Sequence, residues 1–129
     1  MLATLASALL LGGPNLAGTW SLNVFGADKK PVMAGKLVLQ RAFSKFAPRF
    51  TGKKQLTLAK WVKGRGHDKG SIEAVLKGNK VHIDLDLDLY DDNYVLDGVL
   101  SGASVTGTWY HATIAGARER GSFTMSRIR

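Results

Sequence analysis

Residues 81–90 read Val-His-Ile-Asp-Leu-Asp-Leu-Asp-Leu-Tyr, an unbroken alternation of apolar and polar side chains. Successive side chains of a strand point to opposite faces, so Val81, Ile83, Leu85, Leu87 and Leu89 share one face. His82, Asp84, Asp86, Asp88 and Tyr90 share the other. A helix would spread those aspartates around its circumference, so the spacing predicts a single strand of about ten residues, long for a globular protein. Strands with one oily face must bury it against another sheet or inside a closed one.

Comparable runs recur at 17–25, 32–40, 55–63, 71–77, 94–100, 104–113 and 121–128, separated by turn residues such as Gly26-Ala27-Asp28, Gly78-Asn79 and Asp91-Asp92-Asn93. Fifteen glycines against three prolines suit that many tight turns. Eight sequential strands with short connections pair antiparallel and can close into an up-and-down barrel. The chain is therefore read as all-β, an eight-stranded antiparallel meander barrel, with a two-sheet sandwich as the competing architecture. At 129 residues it forms one domain, 16–129, preceded by residues 1–15. The apolar run at 1–13 has the length of a signal-peptide core but no basic start. A truncated leader or a short N-terminal cap is expected there. Export follows from the first reading, giving a secreted or periplasmic protein, and a cytoplasmic one from the second.

The stretch 41–52 breaks the pattern. Phe43, Phe46 and Phe50 have helical spacing, with Arg41, Lys45 and Arg49 every fourth residue, and Pro48 interrupts any long helix. A loop over the barrel mouth is expected, its phenylalanines acting as a lid or as simple anchors. The net charge of +8 is unevenly placed. Positions 41–69 hold nine Lys or Arg and one acid, whereas 80–100 hold one lysine and six aspartates. Arg41, Lys45, Arg49, Lys60, Lys63 and Arg65 are the candidates for an anion-binding face, toward an anionic membrane surface above all. Lys53, Lys54, Trp61 and Lys69 extend the stripe toward a nucleic-acid reading, which no oligonucleotide-binding signature supports.

Gly18-Thr19-Trp20 opens the first strand, and Arg127 stands in the last. Here the chain resembles the calycin barrels, that is lipocalins, fatty-acid-binding proteins and avidin-like proteins, which open with Gly-x-Trp. The resemblance covers the two ends and the strand number. It implies a lipocalin-like barrel in which Arg127 covers Trp20 at the closed end through a cation–π contact. It also implies a small apolar or amphipathic ligand held inside. No later lipocalin motif, cysteine pair or avidin-like polar set is present.

Gly107-Thr108-Trp109 places Trp109 and His111 on one face, either as ligand contacts or as core and barrel-end residues. The expected interior ligand-binding set is Leu22, Leu37, Leu39, Ile83, Leu85, Leu87, Leu96, Trp109, His111 and Phe123. Same-face aspartates on one strand lie roughly 6.5–7 Å apart, too far to share a calcium ion, so they are expected to face water and no metal or other cofactor is expected. His67-Asp68, among Gly64, Gly66 and Gly70, reads as a polar turn. Without a nucleophile elbow, zinc-protease motif or phosphate loop, no catalytic residues are assigned. A non-catalytic carrier is the leading functional expectation. The alternatives are a filled barrel serving as a structural or protein-interaction module of the envelope, and polyanion binding through 41–69.

Overall fold

A computed structural model defines residues 14–62 and 66–128, Arg118 by its backbone only. The leader-like run at 1–13, together with Lys63 and Arg65 of the anion set, lies outside the described residues. Eight strands follow in chain order: β1 (Gly18–Gly26), β2 (Pro31–Ala42), β3 (Arg49–Leu58), β4 (Lys69–Lys77), β5 (Lys80–Asp84), β6 (Asp92–Ser101), β7 (Ser104–Thr113) and β8 (Gly116–Ile128). Each pairs antiparallel with its neighbours in sequence, and β1 pairs with β8, so the sheet closes as an up-and-down barrel. Closure leaves no edge strand among the described residues.

Alternate residues point inward from every strand. Trp20, Leu22, Leu37, Leu39, Phe50, Ile72, Leu76, Ile83, Leu96, Val105, Phe123 and Met125 are all buried and fill the axis. Closing so small a cylinder bends its strands sharply, and two inward-facing glycines allow it. A Cβ on Gly52 would stand 1.7 Å from the Val38 carbonyl oxygen, and one on Gly107 2.0 Å from that of Asp97. One end of the barrel is sealed by residues 14–17. The Trp20 indole donates to the Leu16 carbonyl at 2.9 Å. The Arg127 guanidinium lies 4.3 Å from the Trp20 ring centre and donates to the carbonyls of Ala17 and Asn15.

Three sequence expectations need correction. Arg41 pairs with Phe50 and Ala42 with Arg49, so only 43–48 is a loop between β2 and β3. That loop lies at the Trp20 end. Phe50 faces the interior and is fully buried, so it belongs to the core and not to a lid, while Phe43 and Phe46 are exposed. Second, β3 ends at Leu58, and of the link to β4 the described residues, 59–62 and 66–68, lie at the opposite end. Third, the alternating run does not continue as a strand. β5 stops at Asp84, whose partner is Val95. Leu85 makes one more backbone bond, to the Tyr94 carbonyl at 3.0 Å, and then Asp86 turns into the barrel. The turn reverses the faces: Asp86 is buried, whereas Leu87 is 47% exposed and not an interior residue.

Candidate functional site

The end opposite Trp20 is the mouth, and a charged plug occupies it. Lys54 lies on the inward face of β3, in phase with Phe50 and Leu56. His67 enters from the 59–68 connection, just after Gly66 with φ of +89°, a backbone value that glycine adopts freely. Asp86 comes from the segment that leaves β5, Asp92 and Tyr94 from β6, and Trp109 and His111 from β7. The inward phase of Lys54, Asp92, Tyr94 and Trp109 follows from strand alternation. That they meet follows from barrel closure.

Asp86 is the hub. Its Oδ1 accepts from Lys54 Nζ and, at 2.8 Å, from His67 Nδ1. Its Oδ2 accepts the backbone N–H of Tyr94 at 2.7 Å. The carboxylate thus takes over a ladder position, while Asn93 Oδ1 accepts the Asp86 N–H at 3.1 Å. Side chains of Lys54 and Asp86 are 1% and 0% exposed. Burying such a pair costs several kcal/mol per ion before attraction offsets it, so ion pairs at this depth add little net stability. Six ionisable groups gathered in one plug point to use more than to support.

His67 bridges the two acids. Its Nε2 lies 3.1 Å from Asp92 Oδ2, so both ring nitrogens face carboxylate oxygens and both must donate. An imidazolium, with an N–H on each nitrogen, matches both contacts. Burial opposes the charge, but hydrogen bonds to and charges on Asp86 and Asp92 outweigh it and raise the pKa above the ordinary 6.5. The second oxygen of Asp92 receives His111 Nε2. Burial would raise the Asp92 pKa, yet the bond from His111 and the bond and charge of His67 hold it below the ordinary 3.8. Tyr94 stacks on His111 at 4.3 Å with a 10° interplanar angle and meets the His67 ring edge-on at 4.9 Å. Burial, with Glu119, Asp92 and Asp86 adding to it, pushes its phenol pKa up. The Trp109 indole donates to the Phe25 carbonyl at 2.7 Å.

Beside Trp109 the mouth holds a concavity of about 600 Å³, bounded by Trp61, Trp109, Asp28, Lys30, Glu119 and Arg120. A second depression, of about 650 Å³, lies on the outer face of β4 to β7, between Val75, His82, Asp97, Val99 and Thr106. It is a groove on the outside of the sheet, and none of its walls belongs to the plug.

Of the expected interior set, Leu22, Leu37, Leu39, Ile83, Leu85, Leu96, Trp109 and Phe123 are buried, His111 is partly buried, and Leu87 is outside. Of the cationic candidates, Arg41 lies 5.7 Å from the Phe50 ring centre and Arg49 bonds Glu73 at 2.6 Å. With Lys45 they sit at the Trp20 end, whereas Lys60 sits at the mouth, so the barrel's length separates them. Lys54, read with the surface stripe, is inside.

Sequence reasoning passed over His67, Asp86 and Asp92 as site residues and placed Lys54 in a surface stripe. Lys54 was legible in principle, since it shares parity with Leu56 and Leu58. His67 and Asp86 carried no local signal, because loops deliver both. Comparison with protein-family models, curated proteins and solved structures returned no match for this chain. The fold and site define a closed eight-stranded antiparallel barrel with an ionised plug at one mouth.

Proposed function

We propose that the protein is a non-catalytic binding protein for a small amphipathic molecule, received at the mouth of the barrel. The carrying observation is the concavity of about 600 Å³ against Trp61 and Trp109. Its size falls within the range of roughly 300–1,000 Å³ usual for ligand pockets. Trp61 is half-exposed, and an exposed tryptophan beside a buried one makes an apolar cleft in which a flat or aliphatic body can lie. Lys30 and Arg120 at the rim suit an acidic head group, and Asp28 and Glu119 temper that preference. Below the cleft lie the buried side chains of the core, and the apolar part of the ligand is read as resting on Trp109. The likeness of Gly18, Trp20 and Arg127 to the ends of calycin barrels, which hold one small ligand, supports the same reading.

Titration with an anilinonaphthalene sulfonate probe tests it. Saturable binding with quenching of tryptophan emission is expected, reduced by more than about tenfold in Trp61→Ala with an unchanged circular dichroism spectrum. No saturable binding, or binding indifferent to Trp61→Ala and Arg120→Ala, refutes it.

A further inference from the structure

We propose that His67, Asp92 and His111 form a site for one divalent transition-metal ion of the zinc type. One ligand atom from each lies within 4.8 Å of the other two. Both histidines present Nε2, and each faces a different oxygen of the same carboxylate. Two imidazoles with one carboxylate are a donor set that zinc and its first-row neighbours accept, whereas calcium requires six to eight oxygens.

The surroundings of His67 strengthen the assignment. A metal-bound imidazole is usually oriented by a hydrogen bond from its other nitrogen, most often to a carboxylate. His67 Nδ1 makes that bond to Asp86 at 2.8 Å. Asp86 is in turn held by Lys54 and by the Tyr94 N–H. A buried ammonium thus fixes the acid that fixes the ring. His111 is steadied by its stack on Tyr94. By contrast, His82 lies on the outer surface between Asp97, at 2.6 Å, and Asp84, at 3.7 Å, its own side chain 45% exposed, and no second imidazole joins it there among the described residues.

Room for the ion requires a small movement. Tetrahedral coordination at about 2.0–2.1 Å sets ligand atoms roughly 3.3 Å apart. His67 Nε2 lies 3.1 Å from Asp92 Oδ2 and His111 Nε2 2.5 Å from Asp92 Oδ1, so the two contacts use different oxygens and the carboxylate must turn to offer one of them to the ion. The expansion falls on Asp92 and His111, whose side chains are 31% and 15% exposed, while His67 stays in place. Each ring binds in its neutral form through Nε2: His67 releases its Nε2 proton to solvent and keeps the one on Nδ1, and His111 carries its single proton on Nδ1. The exposed side leaves a position for water. The three ligands come from a connection and two separate strands, not from the alternating run. This site does not depend on the amphipathic-ligand reading.

The test uses the folded protein after dialysis against EDTA. Calorimetric titration with Zn²⁺ should give one ion per chain, and Co²⁺ should develop the visible absorption of a tetrahedral centre. His111→Ala and Asp92→Asn, both at partly exposed positions, should each weaken Zn²⁺ binding by more than about tenfold with the far-ultraviolet spectrum preserved. His82→Ala should leave affinity and stoichiometry unchanged. Absence of stoichiometric Zn²⁺ binding overturns the proposal. So does binding that survives His111→Ala and Asp92→Asn, or that disappears with His82→Ala.

Discussion

Replacing Asp86 by asparagine removes the charge at the centre of the plug and keeps its shape. The aspartate accepts three hydrogen bonds, two from cationic groups, and its side chain is fully buried. Asparagine offers one acceptor oxygen and two N–H donors. If its oxygen serves Lys54 and His67, its amide faces the Tyr94 N–H, donor against donor. If it turns over, the amide faces two cations. Either way Lys54 and His67 remain buried without their shared anion, and breaking a buried pair in this manner costs about 3–5 kcal/mol. Lys54→Met should cost less, about 1–3 kcal/mol, because Asp86 keeps the imidazolium and the Tyr94 N–H. Combining the two should be milder than Asp86→Asn alone, since methionine removes one of the stranded cations. A coupling of about 1–3 kcal/mol in the double-mutant cycle is expected. Urea unfolding followed by circular dichroism, in EDTA, reads all four proteins. An Asp86→Asn loss below about 1 kcal/mol, or strict additivity of the two changes, would falsify the plug as a coupled network.

With metal removed, stability should peak in mildly acid solution. The raised His67 pKa adds stability that is complete below 6.5 and fades as pH climbs through the higher folded value. The lowered Asp92 pKa adds stability present above 3.8 that fades as pH drops through the folded value beneath it. Unfolding midpoints that rise steadily from pH 6 to about 8 would contradict the imidazolium assignment. Arg127→Ala should cost about 1–2 kcal/mol through loss of the Trp20 contact and stem packing, and an unshifted urea midpoint would show that the guanidinium contributes nothing there. Leu85→Ala should cost about 2–5 kcal/mol and Leu87→Ala under about 1, and equal losses would mean that the alternation does not reverse at Asp86. Gly52→Ala, which drives a methyl into the Val38 carbonyl, should cost at least about 3 kcal/mol or prevent folding, and a protein of parental stability would contradict the close strand approach.

Much of the barrel was legible before any coordinates. The period-two alternation in 71–77, 81–84 and 104–113 named both the strand and its buried face, and short turns made antiparallel neighbours the natural pairing. Legibility failed where a residue obeys a distant partner. The run through Leu89 looks like strand to its end, yet Asp86 leaves the ladder because Lys54 and His67, 32 and 19 residues away in sequence, draw its carboxylate inward. The stretch before Gln55 looked irregular because Pro48 and the phenylalanine spacing imitate a broken helix, and pairing of Arg41 with Phe50 overrode that local appearance.

The local pattern on its own settled the strand identity and facing of runs such as 71–77 and 104–113, since these depend on neighbours one or two positions apart. Three-dimensional closure decided which polar groups meet. The electrostatic cost of stranding an ion away from water can be met only by an opposite charge close at hand. In this chain the cation comes from β3, the anion from beyond β5, and the imidazole between them from a connecting loop.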